Sequence, residues 1–267
     1  MNINNTSSSF IDSVAQSQQN RETLFERLSS GKKVNNALDD ASAQQIIDRL
    51  TSEVEGNRQA VNNVYDGISL AQVAEGGLGS INSDVDRIRE LTIQSGNGIL
   101  SAGDRRSIQS EITQLQENIT QTIEQTNFAG KPLLSENGSL NFQAGASSEQ
   151  SISVQTRDIA AQLGGVLSID ITSGTSVNDA LSAADSALEI IGGARGDLGA
   201  TQNRFESAAR TLTQANVNTA EARSRIQDLD FAQASSQRAA NDVQSQAALS
   251  VQAQANQQEG QVLALLN

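Results

Sequence analysis

The sequence predicts a mostly α-helical protein, in which long antiparallel helices form a coiled coil or bundle and a small β-hairpin region occupies the middle of the chain. Three observations predict this fold class. Apolar residues recur every three or four positions over long stretches of the 267-residue chain, as on one face of a helix. Aromatic residues make up only 3% of the composition, which favours helices packed side by side. Short alternating runs replace the helical spacing only after residue 138.

Both ends of the chain carry weak heptad seams. The seam of the first helix is Ile11, Val14, Gln18, Arg21, Phe25 and Leu28. The seam of the last helix is Val251, Ala255, Gln258, Val262 and Leu265. Because polar or small residues fill part of each seam, a single pair of helices would bury little apolar area. We therefore expect that neither end folds alone, and that the ends need each other and further copies of the chain.

A longer seam begins after residue 46. It consists of Ile47, Leu50, Val54, Asn57, Val61, Val64, Ile68, Ala71, Ala74, Leu78, Ile81, Val85 and Ile88. The three-residue step from Ala71 to Ala74 is a stammer, and Gly76 and Gly77 just beyond it predict a weak point in the helix. A further helix carries Ile108, Ile112, Leu115, Ile119 and Ile123. It follows the loop SGNGILSAGD, whose Gly and Asp residues provide turn and capping chemistry.

The β region is expected at about residues 138–172. The runs SISVQT and LSID alternate apolar and polar residues and are separated by Gly and Ser, which is typical of strands or hairpins. Helical spacing then returns, with an interruption at GGARGD. Its apolar positions are Val177, Leu181, Ala184, Leu188, Ile191, Leu198, Phe205, Ala209, Leu212, Ala222, Ile226 and Leu229. The two ends of the chain are thus both helical, and we expect them to meet.

The composition excludes several functional classes. The chain has no cysteine and no histidine, so it lacks thiolates, disulfides and the commonest general base. Asp39 and Asp40 are the candidate acid pair, but no apolar pocket signal beside them would separate their pKa values. The formal net charge of -13 argues against a nucleic-acid-binding surface, which would need a basic face. We expect neither enzyme activity nor a cofactor, and no nucleic-acid partner.

The sequence also bears on secretion and on membranes. The N-terminus, MNINNTSSSFIDSV, has neither the basic n-region nor the apolar h-region of a secretory signal peptide. No run of about 18 apolar residues occurs, so no membrane insertion is expected. If the protein leaves the cell, it does so without the general secretory route.

A set of motifs, found in order along the chain, carries a resemblance to a known family. ERLSSGKKVNNALDDASAQQI at residues 26–46 resembles the N-terminal signature of bacterial flagellins, an LSSG-x-(K/R)-(I/V)-N segment followed by DDA. The further matches are DGISLAQVAEGGLGSINSDVDRIRELTIQ, IQSEITQLQENI, QTNFAGKPLL, DLGATQNRFESA, ARSRIQDLDFA and LSVQAQANQQEGQVLALLN. Any one helical motif is weak, but this ordered set covers nearly the whole chain.

The resemblance implies a nested architecture. Residues 1–39 and 229–267 would form an inner coiled-coil domain, in which the seams above pair. Residues 40–228 would form a helical outer domain that includes the β region. Because only a few residues around SGTSVNDA join that region to the returning helix, the chain resembles a minimal flagellin without outer variable domains.

The implied function is mechanical. The chain would be a structural subunit that self-assembles into the flagellar filament, the helical propeller for swimming. Its partners would be many identical subunits, the flagellar export chaperone, the filament cap and the hook-junction proteins. It would be secreted by the flagellar type III apparatus without a cleaved signal peptide.

The resemblance also implies site residues. A flexible spoke between the inner and outer domains would contain Ser29, Ser30, Gly31, Asn35, Asp39 and Asp40. Its partner would be residues 222–230, with Lys32 and Lys33 meeting Asp228 and Asp230. The alternative is a plain interhelix loop.

A second implied site is a surface patch for Toll-like receptor 5 and for neighbouring subunits. The family's receptor-contacting Arg and Leu correspond to Arg87 and Leu91, and Glu111 corresponds to the acidic partner. Asp86 is expected to draw Arg87 into a local pair and to weaken the contact. The alternative is that Arg87 is a solvated helix residue.

Two other functions stay open at this point. A hook–filament junction protein shares the terminal signatures but is expected to carry a different middle. A non-flagellar coiled-coil adaptor would explain the heptads without the ordered motifs. The DRIRELTIQ and NFAGKPLL motifs favour a flagellin.

Overall fold

The computed structural model describes the backbone of residues 4–147, 149–172 and 176–266, and the side chains of residues 15–147, 149–172, 176–255 and 257. In chain order the elements are α1 (Asn4–Ser30), α2 (Ala41–Ser95), α3 (Ala102–Gln125), β1 (Asn127–Phe128), β2 (Lys131–Pro132), β3 (Gly138–Gln143), β4 (Ser151–Thr156), α4 (Ile159–Gln162), α5 (Gly164–Leu167), α6 (Val177–Gln227) and α7 (Phe231–Leu266). The predicted fold class, long helices with a small β region, is confirmed. None of the described helices is long and apolar enough to cross a bilayer.

The chain divides into two compact units. The terminal unit consists of Met1–Glu53 and Asn218–Asn267, and the central unit is Val54–Val217. The domain boundaries expected from the sequence, at residues 39–40 and 228–229, describe the subunit within a filament and stay a prediction.

The central unit is built on the long seam of α2. Every seam position predicted from Val54 to Ile88 is buried or half-buried. The helix runs unbroken through the pair of glycines at 76 and 77. A Cβ on Gly77 would lie 2.5 Å from the hydroxyl of Thr126, so this glycine allows the end of α3 to pack closely against α2.

Helix α6 runs antiparallel to α2 within the central unit. Near the end of α2, Arg89 donates to Asp185 in the first part of α6 at 2.6 Å. Earlier in α2, a Cβ on Gly67 would lie 2.5 Å from the ring of Phe205, which is further along α6. The Phe205 ring also meets Phe142 of β3 edge to face, with ring centroids 5.5 Å apart. One fully buried aromatic ring therefore joins both long helices to the hairpin.

The structure corrects two expectations about α6. The helix continues through GGARGD, because Gly192, Gly193 and Gly196 face open space and a glycine costs a long packed helix only about 1 kcal/mol. The buried positions in its first half are Ala180, Ala184, Ala187, Ile191, Ala194 and Leu198. The predicted Leu181 and Leu188 are only half-buried, since small alanines line the contact face instead.

Two antiparallel hairpins form the β region. Strands β3 and β4 pair from Gly138 with Thr156 to Gln143 with Ser151, which confirms the strand predicted at SISVQT. The expected strand at LSID is wrong. Gln109 of α3 donates from Nε2 to the Ile169 carbonyl at 3.1 Å and accepts from the Ile171 N–H at 2.8 Å. A side chain thus satisfies the backbone groups that a neighbouring strand would have bonded.

Candidate functional site

Backbone pairing holds residues 29–40, here called the joint, to residues 222–230, here called the return segment. Gly31 has a φ of 70°, which glycine adopts without a Cβ penalty. The Leu229 N–H donates to the Gly31 carbonyl at 3.0 Å, and the Lys33 N–H donates to the Gln227 carbonyl at 2.6 Å. The expected meeting of the joint with residues 222–230 is therefore present as a short antiparallel bridge.

The expected lysine–aspartate contacts are not what joins these segments. In the described part of the chain, neither Lys32 nor Lys33 forms an ion pair with Asp228 or Asp230. The Asp228 carboxylate accepts from Ser224 of its own segment. The Asp230 carboxylate accepts from backbone N–H groups at the start of α7. Local N–H donors satisfy this carboxylate without ordering a long lysine side chain.

The Asp39 carboxylate holds the joint together through hydrogen bonds. Its Oδ2 accepts from the N–H groups of Asn35 at 2.9 Å and Asn36 at 3.2 Å, and its Oδ1 accepts from Arg27 at 3.3 Å. The Asn35 N–H is the main cause that lowers the pKa of Asp39 below its ordinary value; the Asn36 N–H and the Arg27 guanidinium act in the same direction against partial desolvation. The carboxylate is thus kept charged, as a structural anchor.

The remaining joint residues cap the helices on either side. Asp40 Oδ1 accepts from the N–H groups of Ser42 and Ala43 at 3.0 and 2.9 Å, at the start of α2. Ser29 donates to the Glu26 carbonyl at the end of α1, and Ser30 accepts from the Lys32 N–H at 3.2 Å. Asp39 and Asp40 therefore serve turn and cap chemistry, and each is engaged separately.

Helices α1 and α7 run antiparallel within the terminal unit. Arg21 of α1 lies 3.6 Å from Asp242 of α7, and the guanidinium of Arg238 lies 5.8 Å from the centroid of the Phe25 ring. Leu24 is 9% exposed and is the large apolar residue that α1 buries among its described side chains. Neither Arg238 nor Leu24 belongs to the predicted seams.

The predicted seam residues are largely uncovered in the single chain. Phe25 is 61% exposed and Val251 is 55% exposed. Ala255 is also exposed, and Leu28 is half-buried. The side chains of Ile11, Val14, Val262 and Leu265 lie outside the described residues. The pairing of these positions in an assembly stays a prediction.

The predicted receptor patch is only partly a surface. Arg87 donates to Glu111 Oε1 from Nε at 2.9 Å and from Nη2 at 2.8 Å, and to Glu90 from Nη1 at 3.0 Å. These bonds raise the pKa of the guanidinium, and the bond to Glu111 is the largest cause. Leu91 is 2% exposed and belongs to the core. It is therefore corrected from a surface contact to a packing residue, because the inner face of α2 carries it.

The expected local pair between Asp86 and Arg87 is also wrong. Asp86 accepts instead from Asn82 at 3.0 Å, one helical turn earlier. Adjacent residues on a helix point in different directions, whereas residues four apart share a face. The bridge from Arg87 to Glu111 therefore links α2 to α3 without competition from Asp86.

The described sites are suited to association. No group of three acidic side chains within the described residues is close enough to hold a metal ion. Among the described side chains of the terminal unit, the exposed large apolar ones are Phe25, Leu38, Ile46, Phe231, Val243, Leu249 and Val251. The sequence analysis did not single out Leu38. Its position outside both terminal heptad seams is the signal that could have found it, because such a residue has no partner within the α1–α7 pair.

A chain whose ends form one helix pair, and whose middle forms a separate helical core with two small hairpins, is a nested helical protein. Comparison with known families identifies which one. The model of the bacterial flagellin N-terminal helical region matches residues 1–139, and that of the bacterial flagellin C-terminal helical region matches residues 181–266. The chain belongs to the bacterial flagellin family.

Individual relatives agree with this. The chain is 36% identical over 277 residues to a flagellin of Bacillus subtilis, and 36% identical over 259 residues to the flagellar filament 30.7 kDa core protein of Treponema maltophilum. Each match covers 91% of this chain and 91% of the relative. A flagellin of Salmonella muenchen is 39% identical over 64% of this chain but only 34% of its own length. The chain therefore matches relatives of similar length almost throughout, and no outer variable domain is evident in its described residues.

Solved structures share the fold. A crystal structure of Bacillus cereus flagellin has a TM-score of 0.53 and 24% identity, covering 61% of this chain and 94% of that one. A putative flagellar hook-associated protein from Vibrio parahaemolyticus has a TM-score of 0.62 and 13% identity, covering 71% of this chain and all of that one. At these identities the likeness concerns the fold alone.

Proposed function

We propose that this chain is a structural subunit that self-assembles into a bacterial flagellar filament, the helical propeller for swimming. One observation carries the proposal: in a member of the flagellin family, the described side chains of the terminal unit include seven large apolar ones that are exposed. Because exposed apolar side chains gain by being removed from water, they are available for packing against a partner. Copies of the same chain are the partners that the family membership favours.

The proposed mechanism is a polymer held by packing. Covering Phe25, Val243 and Val251 with helices of neighbouring copies removes apolar surface from water, which is the dominant favourable term in association. When one face of a copy meets a different face of the next, the contact does not close on itself and generates a helical filament. The joint would let each terminal pair adjust its position within a bending filament.

Electron microscopy of the purified chain after seeding with short filament fragments tests the proposal. Long filaments about as wide as a flagellum are expected. Soluble dimers without filaments would instead identify a coiled-coil adaptor. Elongation should also require seeds of this chain, with an unrelated helical polymer as the control seed.

A hook–filament junction protein is the second candidate. Its support is the shared fold with the hook-associated protein from Vibrio parahaemolyticus, at 13% identity. The 36% identity to flagellins over 91% of the chain favours the filament subunit. The two differ in copy number, since a junction protein stops after a short ring, whereas a filament subunit extends without limit.

The further partners and the route of export belong to the same proposal. The chain would be carried by the flagellar export chaperone, pass unfolded through the flagellar type III apparatus, and assemble between hook-junction proteins and the filament cap. A chain without cysteine cannot form wrong disulfides on this path. Inactivating the export apparatus should retain the chain in the cell, while secretion through the general route stays unchanged.

The receptor proposal is narrowed to Arg87 and Glu111. Monomer is expected to stimulate Toll-like receptor 5, with Arg87→Ala lowering the response and also impairing polymerisation, because the same face would pack between subunits. Arg106→Ala is the matched control, since Arg106 is exposed and donates only to its own helix at 3.1 Å. An Arg87→Ala monomer that signals as well as the parent would remove this site.

A further inference from the structure

The joint presents one exposed apolar side chain on an ordered backbone turn. Leu38 is 97% exposed, yet its backbone is held on both sides. Asn36 Oδ1 accepts from the N–H groups of Leu38 at 2.9 Å and Asp39 at 3.2 Å, and Asp39 is in turn clasped by the N–H of Asn35. A turn whose backbone is ordered in advance loses less entropy on binding than a flexible loop.

A groove in the central unit has room for such a side chain. It has a volume of about 440 Å³, and a cavity of about 150 Å³ already holds benzene. Its apolar lining includes Leu70, Ala74, Leu78, Leu134, Val154 and Ala194. The small side chains of Ala74 and Ala194 leave space between the larger ones.

The rim of the groove is basic. Arg157 and Arg204 both line it, together with Asp197, and Arg157 is paired with Asp197. Among the contacts of the described residues, Arg204 has no ion pair. The rim therefore suits a ligand that combines an apolar group with a carboxylate.

The chain itself supplies such a group next to Leu38. Asp40 lies two residues further on and caps α2 through Oδ1. Residues 34–40, VNNALDD, carry two acidic residues and no basic one. Leu38 is thus followed directly by two carboxylates, with Lys32 and Lys33 earlier in the joint, while Arg204 lies at the rim of the apolar groove. Complementary charge of this kind, between Asp40 and Arg204, sets the register of an interface.

We propose that Leu38 of one copy seats in the groove of a neighbouring copy, with Asp40 facing Arg204. The inference rests on the proposed function, because the occupant is a second copy of this chain. Leu38 and the groove lie on different surfaces of the chain, so every copy can insert its Leu38 into one neighbour and accept the Leu38 of another neighbour in its groove. Such a contact propagates from copy to copy instead of closing into a dimer.

Cysteine cross-linking tests the contact, since the natural chain has no cysteine. A double variant carrying Leu38→Cys and Thr201→Cys, at the groove rim, is assembled under reducing conditions and then oxidised. A ladder of covalent multimers is expected, because a disulfide requires Cα atoms about 4.4–6.8 Å apart. The matched control combines Leu38→Cys with Thr113→Cys, on the exposed face of α3, and should remain monomeric in denaturing gels.

The other outcomes overturn the inference. Filaments that give no ladder with Thr201→Cys, or an equal ladder with Thr113→Cys, place Leu38 elsewhere. Dimers formed by Leu38→Cys alone would indicate a symmetric contact. A parent chain that forms no filaments at all contradicts the proposed function itself, so the two failures are distinguishable.

A substitution pair decides the question independently. Leu38→Ser should raise the critical concentration for assembly about tenfold, from the loss of one buried leucine, without changing monomer melting. Ile99→Ser is the control, because Ile99 is 88% exposed on another loop and should leave assembly unchanged. Equal effects of the two substitutions would show general surface hydrophobicity and would contradict a specific groove.

Discussion

The two units of this chain use apolar residues in opposite ways. Among the described residues of the central unit, 32 buried hydrophobic ones form one continuous cluster. Among the described side chains of the terminal unit, the buried hydrophobic residues are Leu24, Val34, Ile47 and Ala234, against seven exposed large ones. A cluster closed within one chain folds by itself, whereas a helix pair with an uncovered face depends on other copies. The same helical periodicity thus produces a self-sufficient core in one place and an unfinished one in the other.

Deleting residues 240–267 should have the largest effect and would separate the units outright. Removing most of α7 leaves α1 without its partner, so filament formation should be lost completely. The central unit should keep its cooperative thermal unfolding, because no residue of its core lies in the deleted segment. Electron microscopy and circular dichroism measure the two effects. A truncated chain that still forms long filaments would move the assembly surface away from α7.

Hydrogen exchange in dilute monomer should show the next largest difference. Amides of residues 15–28 and 231–255 are expected to exchange rapidly, and those of residues 54–123 slowly, by several orders of magnitude. Local opening governs the first group because little apolar area is lost on opening, whereas global unfolding governs the second. Assembly should slow exchange in the terminal helices selectively. If amides of both units were equally protected in the monomer, the terminal unit would not depend on other copies for its stability.

Two phenylalanines test the comparison at the level of single side chains. Phe205→Ala empties the centre of the central unit, where the ring is fully buried, and should lower the free energy of unfolding by about 3–5 kcal/mol. Phe231→Ala in the terminal unit removes a ring that is 63% exposed and should change it by about 0.5 kcal/mol or less. Urea unfolding of the monomer gives both values. Among variants that fold, the effect on assembly should have the opposite order: Phe231→Ala should raise the critical concentration for assembly more than Phe205→Ala does.

Acid should loosen the joint slightly, which is the smallest expected effect. Because the folded joint lowers the pKa of Asp39, its stabilisation is complete above about pH 4 and is lost as the pH falls further. Asp39 is half-buried, and the loss of its hydrogen bonds should cost about 1 kcal/mol. Asp39→Asn should remove this pH dependence, as read from amide exchange of residues 33–39 at pH 7 and pH 3.

Asp104 provides the control for that experiment. Its pKa is also lowered, chiefly by the Ser101 hydroxyl, but it caps α3 within the central unit. Acid should therefore fray the start of α3 while the surrounding core holds the helix in place. An acid response of equal extent around Asp39 and Asp104 would show that the cap, and not the missing core, sets the sensitivity.

Much of the fold follows from local pattern. The α2 seam was predicted correctly because a heptad repeat sustained over many turns leaves one face for burial, whichever partner covers it. The start of α3 was predicted because its cap is a local motif, Ser101 with Asp104. The ordered flagellin motifs, which family comparison confirms, likewise needed no knowledge of contacts.

Only the tertiary structure decided the rest, because those features depend on groups far apart in the sequence. The segment LSID is not a strand, since Gln109 reaches its backbone across 60 residues. Leu91 is a core residue because α2 turns it inward, and the joint is tied by backbone bonds between Gly31 and Leu229. Periodicity determines which face of a helix is apolar, whereas the packing of distant elements determines which part of that face remains exposed.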